Sequence, residues 1–357
     1  MLTVPDDLLA RAAATATGAD TTGRLGADVM EGVRAAGFAR HFVPAEWGGT
    51  AGGFGELVNA SATLAGSCTS AAWCATLFAA HGRLAAYLPA PGCQDVWGSS
   101  PDVLIAASVV PPQGVATPQP GGWRLDGTWR YASGIEWAGW VLLAAWTGES
   151  EHRVFAVPAA EVTVEATWDA LGLRGTGSHS VVVRGVCVPA HRTFTLDDLS
   201  RPSSPSAARC HSVPYPLVAS LLFAAPVWGA ARSAVQEAAT GEPPDPGSAP
   251  ERALGAAAAR METAALLIRQ ASARADDSGA GPSASGLNRL TVPFAAQLCR
   301  EAVDALWTAA GTRGVAGGAL QRRWRDVLTA VRHPMLDPEA GAAAWVRAQH
   351  VTRHRSR

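Results

Sequence analysis

The chain has 357 residues, 48% of them apolar and 17% charged, with a formal net charge of −1. That length can bury a large core or two to three packed units, and the apolar share excludes a disordered chain. Near-neutrality gives no general attraction to nucleic acid or anionic membranes, and all 29 basic residues are arginine, which excludes Schiff-base chemistry on a lysine.

The six cysteines (Cys68, Cys74, Cys93, Cys187, Cys210 and Cys299) are scattered and form no CxxC pair, so buried free thiols are expected rather than a metal site or a disulfide framework. The amino terminus, MLTVPDDLLARAAA, is acidic and lacks a long apolar core, so no signal peptide is expected. No uncharged apolar stretch approaches membrane-spanning length. A soluble, cytoplasmic protein with no membrane or nucleic-acid partner is the expectation.

Periodicity divides the chain into three zones. Residues 1–98 read as helical: Leu25, Val29 and Val33 recur at helical spacing, with Gly37 as a C-terminal stop, and Trp73, Leu77 and His81 share one helix face. Residues 99–196 change to period two. In GGWRLDGTWRYASG, Trp123, Leu125, Trp129 and Tyr131 alternate with Arg124, Asp126, Thr128 and Arg130, the pattern of a half-buried strand. GWVLLAAW, RVFAVP, VTVEATW and SVVVRGVCVP supply four more strands. No long helix separates them, so the sheet should be antiparallel. Residues 197–357 open on the polar LDDLSRPSSPSAA and are helical again, reading as a four-helix bundle with GEPPDPGSAP and DDSGAGPSASG as connections. The fold class is therefore α+β, in the order helical domain, β domain, helical bundle. Apolar residues in LLFAAPVWGAARSAV and CREAVDALWTAAG exceed what one bundle hides, which predicts a homo-oligomer.

The residues alone name no reaction. Nine histidines are present, no GxGxxG follows a strand, and neither a G-x-S-x-G elbow nor HExxH occurs. No metal site is expected. Thirteen tryptophans serve packing or wall a flat aromatic ligand.

Read together, PAEWGGT, GSCTSAAWCATLFAAHG, GGWRLDGTWRYASGIEWAGW, LGLRGTGSHSVVVRGVCVPAHR and CREAVDALWTAAGTRGVAGGALQRRWRDVLTAVRHP resemble the acyl-CoA dehydrogenase superfamily in order and spacing. The resemblance covers nearly the whole chain and implies the same three zones, usually in a homotetramer. The local spellings are closest to the group D two-component flavin-dependent monooxygenases. Such enzymes take reduced flavin, FMNH2 or FADH2, from a separate NAD(P)H:flavin reductase. They form a C(4a)-hydroperoxide with O2 and hydroxylate aromatic or other electron-rich small molecules.

The resemblance implies roles for particular residues. His81, in AHG, would be a substrate-side acid/base with a titration point near ~6.5. Ser133, in ASG, would accept from the flavin N(5)–H, and His333 would donate to the hydroperoxide. Ser108, Tyr131, Ser133, Gly311, Thr312 and Arg313 would contact the flavin, the last three from a neighbouring subunit. Arg325 and Asp326 read as a structural pair. His179 reads as a strand residue alternating with Ser178 and Ser180.

Two departures separate this chain from thioester dehydrogenases. No Asp or Glu lies between Asp326 and Asp337, where those relatives carry the carboxylate that removes an α-proton. The Arg-x-x-Phe-Gly segment that meets the FAD pyrophosphate is missing after GAARSAVQEAA, which leaves Arg252 or Arg313 as candidate phosphate partners. The alternatives are a dehydrogenase or oxidase acting on a thioester or carrier-bound intermediate, and a catalytically silent ligand-binding relative.

Overall fold

In the computed structural model, which describes residues 1–149, 151–203, 207–280 and 283–355, five helices precede the first strand. They are α1 (Asp6–Thr22), α2 (Ala27–Ala35), α3 (Phe54–Ser67), α4 (Thr69–Ala85) and α5 (Ala90–Trp97). Val29 and Val33 are buried on α2, whereas Leu25 is buried just ahead of it, and Gly37 takes the predicted left-handed stop at φ 84°. A single extended residue, Cys68 at φ −151°, separates α3 from α4. Small side chains let α4 pass through the interior, and Trp73, Leu77 and His81 are all buried on it.

Eight strands follow: β1 (Ile105–Ser108), β2 (Val115–Gln119), β3 (Gly122–Ala132), β4 (Trp140–Trp146), β5 (His152–Pro158), β6 (Thr163–Glu165), β7 (His179–Pro189) and β8 (Thr193–Thr195). They form one sheet in the order β6-β7-β3-β2-β4-β5-β8, with β1 also on β4. The five pairings β2–β3, β3–β7, β4–β5, β5–β8 and β6–β7 are antiparallel. The sheet is thus mainly antiparallel, as expected, although β4 runs parallel to β1 and meets β2 in parallel at Val115 and Trp146. No crossover helix makes these parallel pairs. A strand hairpin and the 3-10 turn Ile135–Trp137 bring β4 back in the direction of β1.

Alternation in β3 holds for Leu125 and Trp129, which are fully buried, but fails at Tyr131. An irregularity between Trp129 and Ala132, with Tyr131 at φ 66°, turns this ring out of the sheet core and leaves it 66% exposed.

The remaining helices are α6 (Arg209–Ser212), α7 (Tyr215–Thr240), α8 (Ala249–Asp276), α9 (Ser283–Ala309), α10 (Thr312–Val315), α11 (Ala319–Ala330) and α12 (Pro338–Arg355). Helices α1–α4, α6–α9 and α11 bury one shared core. At its centre α3 and α7 touch backbone to backbone. A Cβ at Gly229 would lie 2.3 Å from the Ala62 carbonyl oxygen, so only glycine permits this approach. By length and composition α7 could cross a membrane, contrary to the expectation from sequence, but most of its apolar stretch is packed inside the protein. Among the described residues, the exposed large apolar side chains of these helices are instead Leu266, Leu287, Phe294, Val315 and Val346.

Candidate active site

A cavity of about 880 Å³ opens where α4, the β1 and β3 ends, α7 and the segment after α11 meet. That size suits an organic cofactor with a small substrate beside it. Trp73, Tyr131, Trp168 and Phe223 supply flat apolar walls. No Asp or Glu is among its lining residues, so the structure offers no carboxylate there to remove an α-proton.

His81 reaches the cavity from α4 and is 7% exposed. Its Nδ1 lies 2.7 Å from the Ile105 carbonyl oxygen on β1. A carbonyl only accepts, so Nδ1 carries the proton and Nε2 presents a lone pair. Burial pushes the imidazole down to about 4, which corrects the expected titration near neutrality: this ring is a neutral acceptor.

His333 follows α11 and caps the 3-10 turn Pro334–Leu336. Here the backbone partner is a donor. The Met335 N–H points at Nδ1 from 3.2 Å, so Nδ1 is the acceptor and the ring proton sits on Nε2. Phe223 stacks on the ring at 3.7 Å and 23°, and Trp73 stands edge-on at 6.2 Å. Burial holds this imidazole neutral as well, at about 4.

Ser133 directly follows β3 and is 7% exposed. Its Oγ accepts from the Trp73 indole N–H at 3.1 Å and lies 2.7 Å from Ser178 Oγ, which is 2.7 Å from Thr176 Oγ1. Thr176 donates in turn to the Leu173 carbonyl at 2.8 Å. The turn bearing Leu173 lies directly on α11. A Cβ on Gly172 would fall 2.2 Å from Arg325 backbone atoms, and the Leu173 N–H donates to Asp326 Oδ1 at 2.6 Å.

Ser108 and Tyr131 line the same cavity. Ser108 donates to the Arg130 carbonyl at 2.8 Å and accepts from Gln113 Nε2 at 3.2 Å, while Tyr131 stands edge-on to Trp168 at 6.1 Å. Gly311, Thr312 and Arg313 lie at the start of α10 and do not line this chain's cavity. Arg252 is also remote, its guanidinium donating to the Gly247 carbonyl. Arg130 and Arg332 do line the cavity, and among the described residues neither guanidinium has a hydrogen-bonding or ionic partner.

Arg325 and Asp326 are not a pair. Arg325 binds Asp20 through two nitrogens, at 2.6 and 3.0 Å, and Asp326 is spent on Leu173. His179 accepts from the Trp168 N–H at 3.1 Å rather than entering the cavity. Sequence reasoning missed Thr176, Ser178, Gln113 and Phe223. The alternation around His179 had placed Ser178 on one strand face, without showing which face meets the cavity.

Comparison with known proteins follows the same lines. The family "Acyl-CoA dehydrogenase, C-terminal domain" matches residues 221–338. The oxygenase subunit HsaA of a flavin-dependent monooxygenase from Rhodococcus jostii is 27% identical over 346 residues, covering 88% of this chain and 89% of that protein. The crystal structure of 3-HSA hydroxylase from Rhodococcus sp. RHA1 superposes with a TM-score of 0.90 at 25% identity, covering 97% of this chain and 95% of that one. Over residues 221–338 the chain is similar to acyl-CoA dehydrogenases, and over nearly its whole length it has the fold of this hydroxylase. The relatives it matches include oxygenase components of two-component flavin-dependent monooxygenases. The FADH(2)-dependent resorcinol hydroxylase oxygenase component of Rhizobium sp. is 37% identical over 187 residues, 51% of this chain and about half (46%) of that relative's length. The chain therefore combines the fold of the 3-HSA hydroxylase with a cavity lined by no carboxylate.

Proposed function

We propose that this flavin-dependent monooxygenase hydroxylates a small phenolic compound, with reduced flavin supplied by a separate NAD(P)H:flavin reductase. The observation that carries the reading is the pair of neutral histidines in opposite tautomers, one accepting and one donating, on a cavity with no carboxylate. The residues present fit reduced flavin. Ser133 has an acceptor to offer, His333 has a donor, and Trp73 and Phe223 give flat apolar surface. Bound there, the flavin would supply two electrons to O2, one oxygen atom going to the substrate and the other leaving as water.

The chain's own groups divide the work. His333 Nε2–H donates where charge develops on oxygen during transfer, and a dry, preorganised donor is most effective there. His81 Nε2 accepts a hydrogen bond from the substrate hydroxyl, which orients the phenol. Arg130 and Arg332 supply cations for the flavin phosphate in place of the missing Arg-x-x-Phe-Gly segment. FMNH2 and FADH2 both meet these requirements.

The same reading extends to assembly. Exposed Leu266, Phe294 and Val315 support a homotetramer in which Gly311, Thr312 and Arg313 reach a neighbour's flavin. The six unpaired thiols favour a cytoplasmic setting. The test supplies chemically reduced FMN or FAD, labelled O2 and a panel of phenols to the purified protein. Incorporation of one labelled oxygen into a phenol, read by mass spectrometry, is expected. Quantitative conversion of O2 to hydrogen peroxide, with every phenol unchanged, would overturn the reading. Light scattering that reports a monomer would overturn the tetramer.

A further inference from the structure

We propose that Thr176 and Ser178 are positioning residues that fix the polarity of Ser133, so that the site accepts a hydrogen bond from reduced flavin and disfavours the oxidised form. The inference rests on the flavin reading above and adds a selection between oxidation states.

The argument is a count of protons. Thr176 Oγ1 lies 2.8 Å from the Leu173 carbonyl oxygen, which can only accept, so the single Thr176 hydroxyl proton is spent there. Thr176 and Ser178 Oγ are 2.7 Å apart, and the proton between them must come from Ser178. Ser178 and Ser133 Oγ are also 2.7 Å apart, and that proton must come from Ser133. Three hydroxyl protons fill three contacts, all running toward Leu173. At the other end the Trp73 indole, which can only donate, occupies one Ser133 lone pair from 3.1 Å. Ser133 is left with one free lone pair and no free proton.

The direction is locked rather than adjustable. Thr176, Ser178 and Ser133 are 2%, 5% and 7% exposed, so water does not compete. The Leu173 carbonyl is held from several sides. It accepts the Trp168 indole at 3.0 Å and the Thr176 N–H at 3.1 Å, while the Leu173 N–H is tied to Asp326. Leu173 itself sits at φ 52°, a conformation that such a side chain adopts only when its surroundings dictate it.

Reduced flavin carries a proton on N(5), whereas oxidised flavin has only a lone pair there. Against Ser133, the first makes a hydrogen bond and the second sets two acceptors face to face in a buried site. For an oxygenase fed by a separate reductase, the preference helps capture the reduced form and release the spent one.

The experiment reads flavin binding without turnover. Dissociation constants for oxidised FMN and FAD are measured by fluorescence titration, and for the reduced forms by anaerobic equilibrium dialysis. Ser178→Ala and Thr176→Val each free the Ser133 proton to turn toward the cavity. The ratio of oxidised to reduced dissociation constants should fall by about three- to tenfold in both, the scale of one net hydrogen bond. Thr176→Ser keeps the chain and should retain the wild-type ratio. Ser133→Ala removes proton and lone pair together, and should weaken reduced-flavin binding without improving oxidised-flavin binding. An unchanged ratio in folded Ser178→Ala and Thr176→Val, checked by circular dichroism, would overturn the proposal while leaving the hydroxylase reading intact. Equal affinity for both oxidation states in a wild type that hydroxylates phenols would do the same. A wild type that binds neither form would remove the flavin reading and this proposal with it.

Discussion

The helix α4 and the corner after α11 each bring one histidine to the cavity, and the two regions treat the same side chain differently. At α4 the ring meets a carbonyl, that of Ile105; at the corner it meets an N–H, that of Met335. Burial takes the charge from both rings, but the backbone partner decides which nitrogen keeps the remaining proton. One region thus presents a lone pair and the other a proton. Equal titration does not imply equal chemistry.

The largest expected effects test the donor side of that comparison. His333→Ala should keep the fold and lower product formation by about a hundredfold or more, the cost of one preorganised hydrogen bond to developing charge. Ser133→Ala, which removes an acceptor for the flavin, should uncouple the reaction as well. Reduced flavin would still be consumed, so hydrogen peroxide should rise as product falls. Oxygen uptake measured beside peroxide yield checks this, and normal coupling in both variants would break the assignment.

The acceptor side should respond differently. His81→Ala is expected to slow hydroxylation by about a hundredfold, the cost of a misplaced substrate, with flavin affinity unchanged. His81→Gln retains an acceptor and should recover part of the rate. A rise in peroxide without slower transfer would make the two histidines equivalent, contrary to the tautomers.

Acid sharpens the comparison further. Both rings stay neutral until about pH 4, so activity should persist well below the ordinary histidine range and fail only near pH 4. Stability carries the same signature. Unfolded His81 takes a proton near 6.5 and folded His81 only near 4, so the unfolded state binds more protons between those values. Stability is therefore full above pH 6.5 and falls as the pH drops, by about 3 kcal/mol at pH 4 from this ring. Asp326, pushed up to about 6 by burial, acts in the opposite direction between its ordinary range and pH 6. Urea unfolding of wild type and His81→Gln across pH 4–7 isolates the histidine contribution as the difference between them.

The smallest effect concerns the turn beneath Ser133. Asp326→Asn keeps an acceptor for the Leu173 N–H and removes a buried charge, whereas Asp326→Ala leaves that N–H unpaired. The alanine variant should be less stable than the asparagine variant by about 1–3 kcal/mol at pH 7, read as the difference in unfolding free energy. Equal stabilities would show that Leu173 is held without this contact.

By itself the sequence determined the order of helical, β and helical zones, because hydrophobic periodicity is a local property carried by each segment. It also singled out His81, Ser133, His333, Ser108 and Tyr131, through motif spelling and order, and the tertiary structure brings all five to one cavity. Other features depended on residues far apart in the chain. The parallel β1–β4 pair, the outward turn of Tyr131, the Arg325–Asp20 ion pair and the cavity-facing side of Ser178 were decided only in the folded molecule. So were the two tautomers, since Ile105 lies 24 residues from His81 and burial, not composition, lowers the imidazole. Periodicity records which face of an element is apolar. It does not record which distant carbonyl, N–H or hydroxyl that face will meet, and hydrogen-bond direction depends on that partner.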